Sequence, residues 1–264
     1  MMENQLTHFI TFLRNIRLNK FQLFFKHEKY LKKVFFEFSV KKSEKVIHEK
    51  GKSVFILNAC INPFDHQDNS TYNAPTNIHD RYEQVIKGIQ SVRETFQSSD
   101  IVYIENSNIP INFENQIKNV VDLYFNFSSN EFLQYSRKIT NKGVPWTMAN
   151  LLCLKKLQTV KQYEEYHFLN ARYQIAPVSN KNDETKTRKR FMHVKMKRHN
   201  ICLIYFYFAD ISVSSIIRIF KNAHLLSVCG FSTEDIFSIN FFNKVYLDEL
   251  GVTGLVNARE FCKE

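Results

Sequence analysis

Three short polar groups interrupt the apolar runs of this chain, and each holds residue types that can grip a sugar or a phosphate. Asn58, Asn62 and Asp65 lie in or just after the run 53–61 (SVFILNACI), Glu105-Asn106-Ser107 follows the run 100–104, and Lys142-Gly143 precedes a stretch of helical periodicity. Amides and a carboxylate hold sugar hydroxyls by hydrogen bonds, while a cation beside a helix start holds a phosphate through charge and the helix dipole. The same residue types also end strands simply because they make turns. Spacing alone leaves both readings open. His66 and His79 flank the first loop and could grip a phosphate, whereas His167 and His193 have no partner by spacing. The nine histidines and five cysteines show no zinc-ligand pattern.

The elements that must position these groups follow from periodicity. Residues 53–61 are too few for a good helix and read as a buried strand. A loop with Pro63 and Pro75 follows, and Ile78, Tyr82, Val85, Ile86, Ile89, Val92 and Phe96 then recur at steps of three and four. That spacing predicts a helix capped by Asn77 or Asp80. Further strands are expected over 100–104, 120–127, 166–175 and 201–208. Helices are expected over 144–160, with Pro145 in the first turn, and over 214–223. Ser232, three residues before Asp235, is expected to start a last helix running to about 250. The alternation argues for an α/β fold, a mostly parallel sheet flanked by helices. Ligands of such sheets sit outside the carboxyl ends of the strands. The charged stretch 179–190 is a loop that either closes over a ligand or is merely solvated.

Residues 1–50 differ in character. Phe9, Phe12, Leu13, Ile16, Phe21, Phe24 and Phe25 recur at helical spacing among Arg14, Arg17, Lys20 and Lys26. An amphipathic helical extension over 1–50 is expected, preceding an α/β domain over 51–264. Its apolar stripe either packs on its own protein or rests on an anionic membrane.

Composition removes several function classes. With 264 residues, 44% apolar and 23% charged, the chain can bury a core and is not disordered. Its longest apolar run, 201–209, is about half a membrane span. The N-terminus lacks the pattern of an export signal, and five scattered cysteines suit a reducing compartment. A cytoplasmic protein, peripheral on the inner membrane if it meets lipid, is expected. The net charge of +10 suits nucleic acid, anionic lipid or a phosphorylated small molecule, and codon drift toward Lys and Asn raises it without any partner. Gly51-Lys52-Ser53 is not a phosphate loop, because Val46 replaces the earlier glycine and the fragment precedes a strand instead of following one.

Several ordered fragments resemble a family of bacterial glycosyltransferases from capsule and lipopolysaccharide O-antigen gene clusters. They are Phe55-Ile56-Leu57-Asn58-Ala59-Cys60-Ile61-Asn62-Pro63, Arg81-Tyr82, Ile101-Val102-Tyr103-Ile104-Glu105-Asn106-Ser107, Asn141-Lys142-Gly143 and Phe168-Leu169-Asn170-Ala171-Arg172-Tyr173. Glu234 and the segment Val245-Tyr246-Leu247-Asp248-Glu249-Leu250-Gly251-Val252-Thr253-Gly254 complete the set. The resemblance implies transfer of a sugar from a nucleotide-sugar donor to a hydroxyl of a glycan or lipid-linked acceptor. It implies donor binding by Asn58, Asn62, Arg81, Glu105, Asn106, Ser107, Lys142, Gly143, Arg172 and Tyr173, the last stacking on a ring. Glu234, with Asp235 as alternate, would be the base that deprotonates the acceptor.

Two departures bear on activity. Ala171 replaces an expected glycine, and Val144-Pro145-Trp146-Thr147 lacks the carboxylate that usually follows the lysine-glycine turn. No Asp-x-Asp triplet occurs, so the usual divalent-metal clamp is not visible, although a metal remains possible. Leaving-group charge would then fall to Arg81, Lys142 and Arg172. The rival readings are a degenerate, non-catalytic transferase and a basic nucleic-acid-binding protein that stacks bases on its aromatic residues. The aromatics sit in apolar strand and helix patterns, so no nucleic-acid partner is expected.

Overall fold

Helices α1 (Leu18–Lys26) and α2 (Glu28–Glu37) precede the first strand, β1 (Lys50–Ala59). The computed structural model describes residues 18–39, 50–62, 77–175, 191–197, 200–238, 244–247, 252–256 and 260–263. After β1 come α3 (Ile78–Thr95), β2 (Asp100–Glu105), α4 (Ile111–Lys118), β3 (Leu123–Asn126), α5 (Glu131–Arg137), α6 (Gly143–Leu157), β4 (Gln162–Asn170) and β5 (Gln174–Ile175). The remainder comprises β6 (Phe191–Lys197), β7 (Asn200–Ala209), α7 (Val213–Val228), α8 (Thr233–Ser238), β8 (Lys244–Leu247), β9 (Val252–Val256) and β10 (Glu260–Lys263).

The main sheet has the strand order β3-β2-β1-β4-β7-β6-β8. The ladders among β3, β2, β1 and β4 are parallel, as is that between β6 and β8, whereas β7 runs antiparallel to both its neighbours. The expected α/β architecture with a mostly parallel, helix-flanked sheet is therefore observed. Burial explains β1: Val54, Phe55, Ile56 and Leu57 are all buried, which a strand achieves only when both faces of its sheet are covered. Val54 and Ile56 face α6 and α7, while Phe55 and Leu57 face α3.

Helix α3 starts where expected, with the Asn77 side chain accepting from Asp80 N. It buries Tyr82, Val85, Ile89 and Val92 against the sheet, and Gly88 lets it approach a turn closely. A Cβ on Gly88 would lie 2.1 Å from the carbonyl oxygen of Ala171. On the other face α6 is buried nearly all round, as an internal helix must be. Helix α2 joins that layer through Tyr30, Leu31 and Val34, in one core with α6 and α7.

Several sequence expectations need correction. The stretch 166–175 is two strands, because the Asn170 side chain accepts from Arg172 N and folds 171–173 into a turn that sends β5 to the small sheet β10-β9-β5. The last helix does not reach 250. It ends at Ser238, and 244–247, where Val and Leu flank Tyr, is a strand beside β6. Helices α4 and α5 and strand β6 were not anticipated.

A buried polar chain ties α2 to the first turn of α6. The Tyr30 hydroxyl lies 2.9 Å from Nε2 of His224, and Nδ1 of His224 lies 2.9 Å from Oγ1 of Thr147, whose hydroxyl is 2.8 Å from the Gly143 carbonyl. One neutral tautomer satisfies every atom: Tyr30 donates to Nε2, Nδ1–H donates to Thr147, and Thr147 donates to Gly143. Burial depresses the His224 pKa from 6.5 to about 3. The unfolded chain binds that proton at higher pH than the folded one, so stability is complete above 6.5 and is lost as pH falls toward 3. Between about pH 7 and about pH 5 the expected loss is roughly 2 kcal/mol. Urea unfolding of wild type and of His224→Gln, which cannot titrate there, checks this at both pH values: the stability difference between the two proteins should change by about that amount.

Candidate functional site at the carboxyl edge of the sheet

Parallel pairing makes the central strands end level. Asn58 is in register with Ile104 on one side and Asn170 on the other, and Ala59 with Glu105. Helix α6 returns the chain to the start of β4, so its N-terminus lies at this same carboxyl edge. Strand β7 is antiparallel to β4, so α7 climbs back to the edge and delivers Thr233 and Glu234 there. Packing agrees: a Cβ on Gly143 would meet Cγ2 of Thr233 at 2.5 Å. Asn141 fixes the junction, donating from Nδ2 to the carbonyls of Ser227 (2.8 Å) and Phe231 (2.7 Å) and accepting from Gly143 N at 2.9 Å. The Lys142 turn and the Glu234 helix are thereby held as one unit.

Glu105, expected to bind a donor, has another position. It is fully buried, and Oε1 accepts from Ile61 N (3.2 Å), Asn106 N (2.9 Å), Ser107 N (2.9 Å) and the Ser107 hydroxyl, while Tyr103 donates to Oε2 at 2.7 Å. This carboxyl clamps the loops after β1 and β2 from within. Burial raises its pKa to about 7, against the pull of its hydrogen bonds. Ser107 belongs to the same clamp: it is fully buried and its hydroxyl accepts from Asn62 N at 2.9 Å. Tyr173 is only 5% exposed and packs in the α3-side core, so it presents no stacking face. Gly143 serves the close approach of α6 to Thr233. All four are buried and support the edge.

The groups that remain near the edge are Asn58, Asn62, Arg81, Asn106, Lys142, Arg172, Glu234 and Asp235. Asn62 donates from Nδ2 to Asn108 O at 3.0 Å, and Arg81, itself buried, donates to Cys60 O at 2.9 Å. Asn106 donates from Nδ2 to Asn58 Oδ1 at 2.6 Å, leaving Asn58 Nδ2 and Asn106 Oδ1 buried with no hydrogen-bond partner among the described residues. Exchanging O and N in both amides leaves the same complement, one donor and one acceptor. A buried amide atom left unpaired is costly, so this pair suits a ligand edge carrying an acceptor beside a donor. Lys142 and Asp235 are exposed and Arg172 and Glu234 half-buried. The Thr233 hydroxyl donates to Glu234 Oε2 at 3.1 Å, and Ser232 caps α8 through Asp235 N at 3.0 Å. Asp65 and His66 lie outside the described residues.

Arg137, at the end of α5, was missed in the sequence. Its charge and that of Arg81 both act on the Cys60 thiol, which burial nevertheless pushes up to about 12. The available signal was the Asn130 cap, whose side chain accepts from Phe132 N and Leu133 N and starts the short helix that carries Arg137. Among the described residues no group of three His, Cys, Asp or Glu could hold a metal ion. A cavity of about 750 Å³ runs beside α7 to α8, lined by Asp210, Ser215, Arg218, Asn222, Ile236 and Phe237, and none of the sequence-predicted site residues among the described ones lines it.

No family model and no curated protein matches the sequence. Among solved structures, the chain is similar to the apo form of the glycosyltransferase GlyE of Streptococcus pneumoniae TIGR4, at 9% identity and a TM-score of 0.41 over 75% of this chain and 45% of that one. It is similar to the galactosyltransferase LgtC in complex with donor and acceptor sugar analogues, at 9% identity and a TM-score of 0.38 over 74% of this chain and 72% of that one. Core-mannan synthase A of Aspergillus fumigatus, in its Mn/GDP form, gives 6% identity and a TM-score of 0.40 over 84% and 83% of the two chains. The chain thus spans less than half of the GlyE chain.

Proposed function

We propose that this chain is a glycosyltransferase that moves a sugar from a nucleotide-sugar donor to a hydroxyl of a growing surface polysaccharide or lipopolysaccharide, at the cytoplasmic side of the inner membrane. The observation that carries this reading is the convergence on one sheet edge of the Asn58–Asn106 pair, with its spare donor and acceptor, and the linked Lys142 and Glu234 turns. In this reading the amide pair with Asn62 grips the donor. Lys142 and Arg172 receive the negative charge that develops on the departing diphosphate, with Arg81 and Arg137 adding positive potential from beneath. Glu234 accepts the proton of the attacking hydroxyl.

The test is a thermal-shift series over nucleoside diphosphates and nucleotide sugars, with and without Mn²⁺. At least one nucleotide is expected to raise the melting temperature, and Arg172→Ala to abolish the shift while leaving the ligand-free melting temperature close to wild type. A chain that no nucleotide stabilises is not a nucleotide-sugar transferase. Steeply salt-dependent binding to single-stranded nucleic acid would replace this reading with the nucleic-acid one.

A further inference from the structure

The N-terminal helices carry a surface that the strand-edge site does not use. Backbone hydrogen bonds run through their junction, His27 N to Leu23 O at 3.2 Å and Leu31 N to His27 O at 2.9 Å, so α1 and α2 keep a nearly common helical phase. One side of this pair is fixed to the protein. Tyr30, Leu31 and Val34 are buried, and the Tyr30 ring stacks on Tyr135 with centroids 4.3 Å apart. The opposite side reads Phe25, Lys29, Lys32, Phe36, at steps of four, three and four, which is one outward stripe. Phe25 is 68% exposed and Phe36 82% exposed. At helical rise the two rings stand about 16 Å apart along the stripe.

We infer that this stripe docks the protein on an anionic lipid surface, with Phe25 and Phe36 entering the headgroup boundary and Lys29, Lys32 and the neighbouring Lys33 meeting lipid phosphates. A lone exposed phenylalanine needs no explanation. Two on one stripe, interleaved with lysines on a helix whose other face is already anchored, match the pattern of an interfacial helix. Charge selects the occupant. Residues 18–37 hold five lysines against two glutamates, so the segment stays net positive with Glu28 paired to Lys32 and Glu37 paired to Lys155. A second copy meeting this face would bring lysine against lysine, which opposes association, whereas an anionic surface is complementary to it. Phe35, 40% exposed, lies to the side under the Lys221 ammonium, 4.8 Å from the ring centroid, and extends the basic border onto α7. The inference does not depend on the transferase reading, because none of the strand-edge residues enters it.

Co-sedimentation of the full chain with vesicles tests it. Vesicles of phosphatidylcholine containing phosphatidylglycerol should carry the protein down, vesicles of phosphatidylcholine alone should not, and added salt should release it. Phe36→Ser and Lys29→Glu should each lower partitioning by about tenfold. Both side chains point to solvent, so circular dichroism and melting temperature should match wild type and separate lost docking from lost folding. Failure to sediment with anionic vesicles, equal sedimentation with both vesicle types, or unchanged partitioning of both variants would overturn it. So would light scattering that finds a dimer in lipid-free solution which Phe36→Ser dissociates, or an oligonucleotide bound through Lys29 and Phe36 by a chain that ignores vesicles. Because the readout is sedimentation, it can fail while nucleotides still stabilise the protein, and the converse.

Discussion

Glu105→Ala is expected to lower folding stability by roughly 3–5 kcal/mol, whether or not a ligand is present. The substitution strips acceptors from Ile61 N, Ser107 N and the Tyr103 hydroxyl and leaves a cavity in a fully buried site, while Asn106 N keeps a second acceptor, Ala59 O, at 3.2 Å. Urea unfolding measures the loss. A stability close to wild type would show that the carboxyl is no clamp and would return Glu105 to the role of donor ligand. Glu105→Gln separates charge from shape. The neutral acid can donate from Oε2 to the Tyr103 oxygen while Oε1 keeps its four donors, and a glutamine amide can do the same. Burial raises the folded pKa from 4.5 to about 7, so the folded chain holds the proton where the unfolded chain has lost it. The group's contribution is therefore complete below 4.5 and is lost as pH rises through about 7. Glu105→Gln should match wild type in acid and gain on it by about 3 kcal/mol by pH ~8. This slope is opposite in sign to that of His224, so each variant isolates its own group.

Glu234→Gln is expected to reduce turnover by about 10²–10⁴-fold, with donor binding and melting temperature unchanged. Its carboxylate is half-buried on the six-residue helix α8, with one hydrogen bond, from Thr233, and the amide keeps that acceptor while losing the basicity. Product formation from the nucleotide sugar that gives the largest thermal shift provides the measurement. Turnover unchanged in Glu234→Gln but lost in Asp235→Asn would transfer the role to the neighbouring residue, which is exposed at the same turn. Turnover unchanged in both would remove α8 from the chemistry.

Both experiments depend on positions that could be read from the sequence and on roles that could not. The strand at 53–61, its partner at 100–104 and the Asn77-capped helix were legible because their causes are local: unbroken apolar runs, a three-to-four repeat and a side chain that accepts a backbone N–H three residues away. The parallel core of the sheet followed from their alternation. Helix α5 was not legible, since seven residues are too few for a periodic signal, and Arg137 was missed with it. The late helix was overextended because Ser232 fixes where a helix starts and says nothing about where it stops. At 244–247 pairing with β6 decides for a strand.

The residue types at the strand ends were likewise visible in sequence, and their assignments divided only in three dimensions. Glu105, Ser107 and Tyr173 look like ligand contacts in a string of letters, yet each is buried in the folded chain. Asn58 and Asn106 look like turn residues, yet they meet at 2.6 Å and leave a donor and an acceptor spare. The chain alone determines which side chains are polar and which backbone segments are regular, because both depend on near neighbours. Whether a polar group is consumed inside or offered outside depends on which distant loop closes over it. That choice, made between the loops after β1 and β2 and between the starts of α6 and α8, belongs to the tertiary structure.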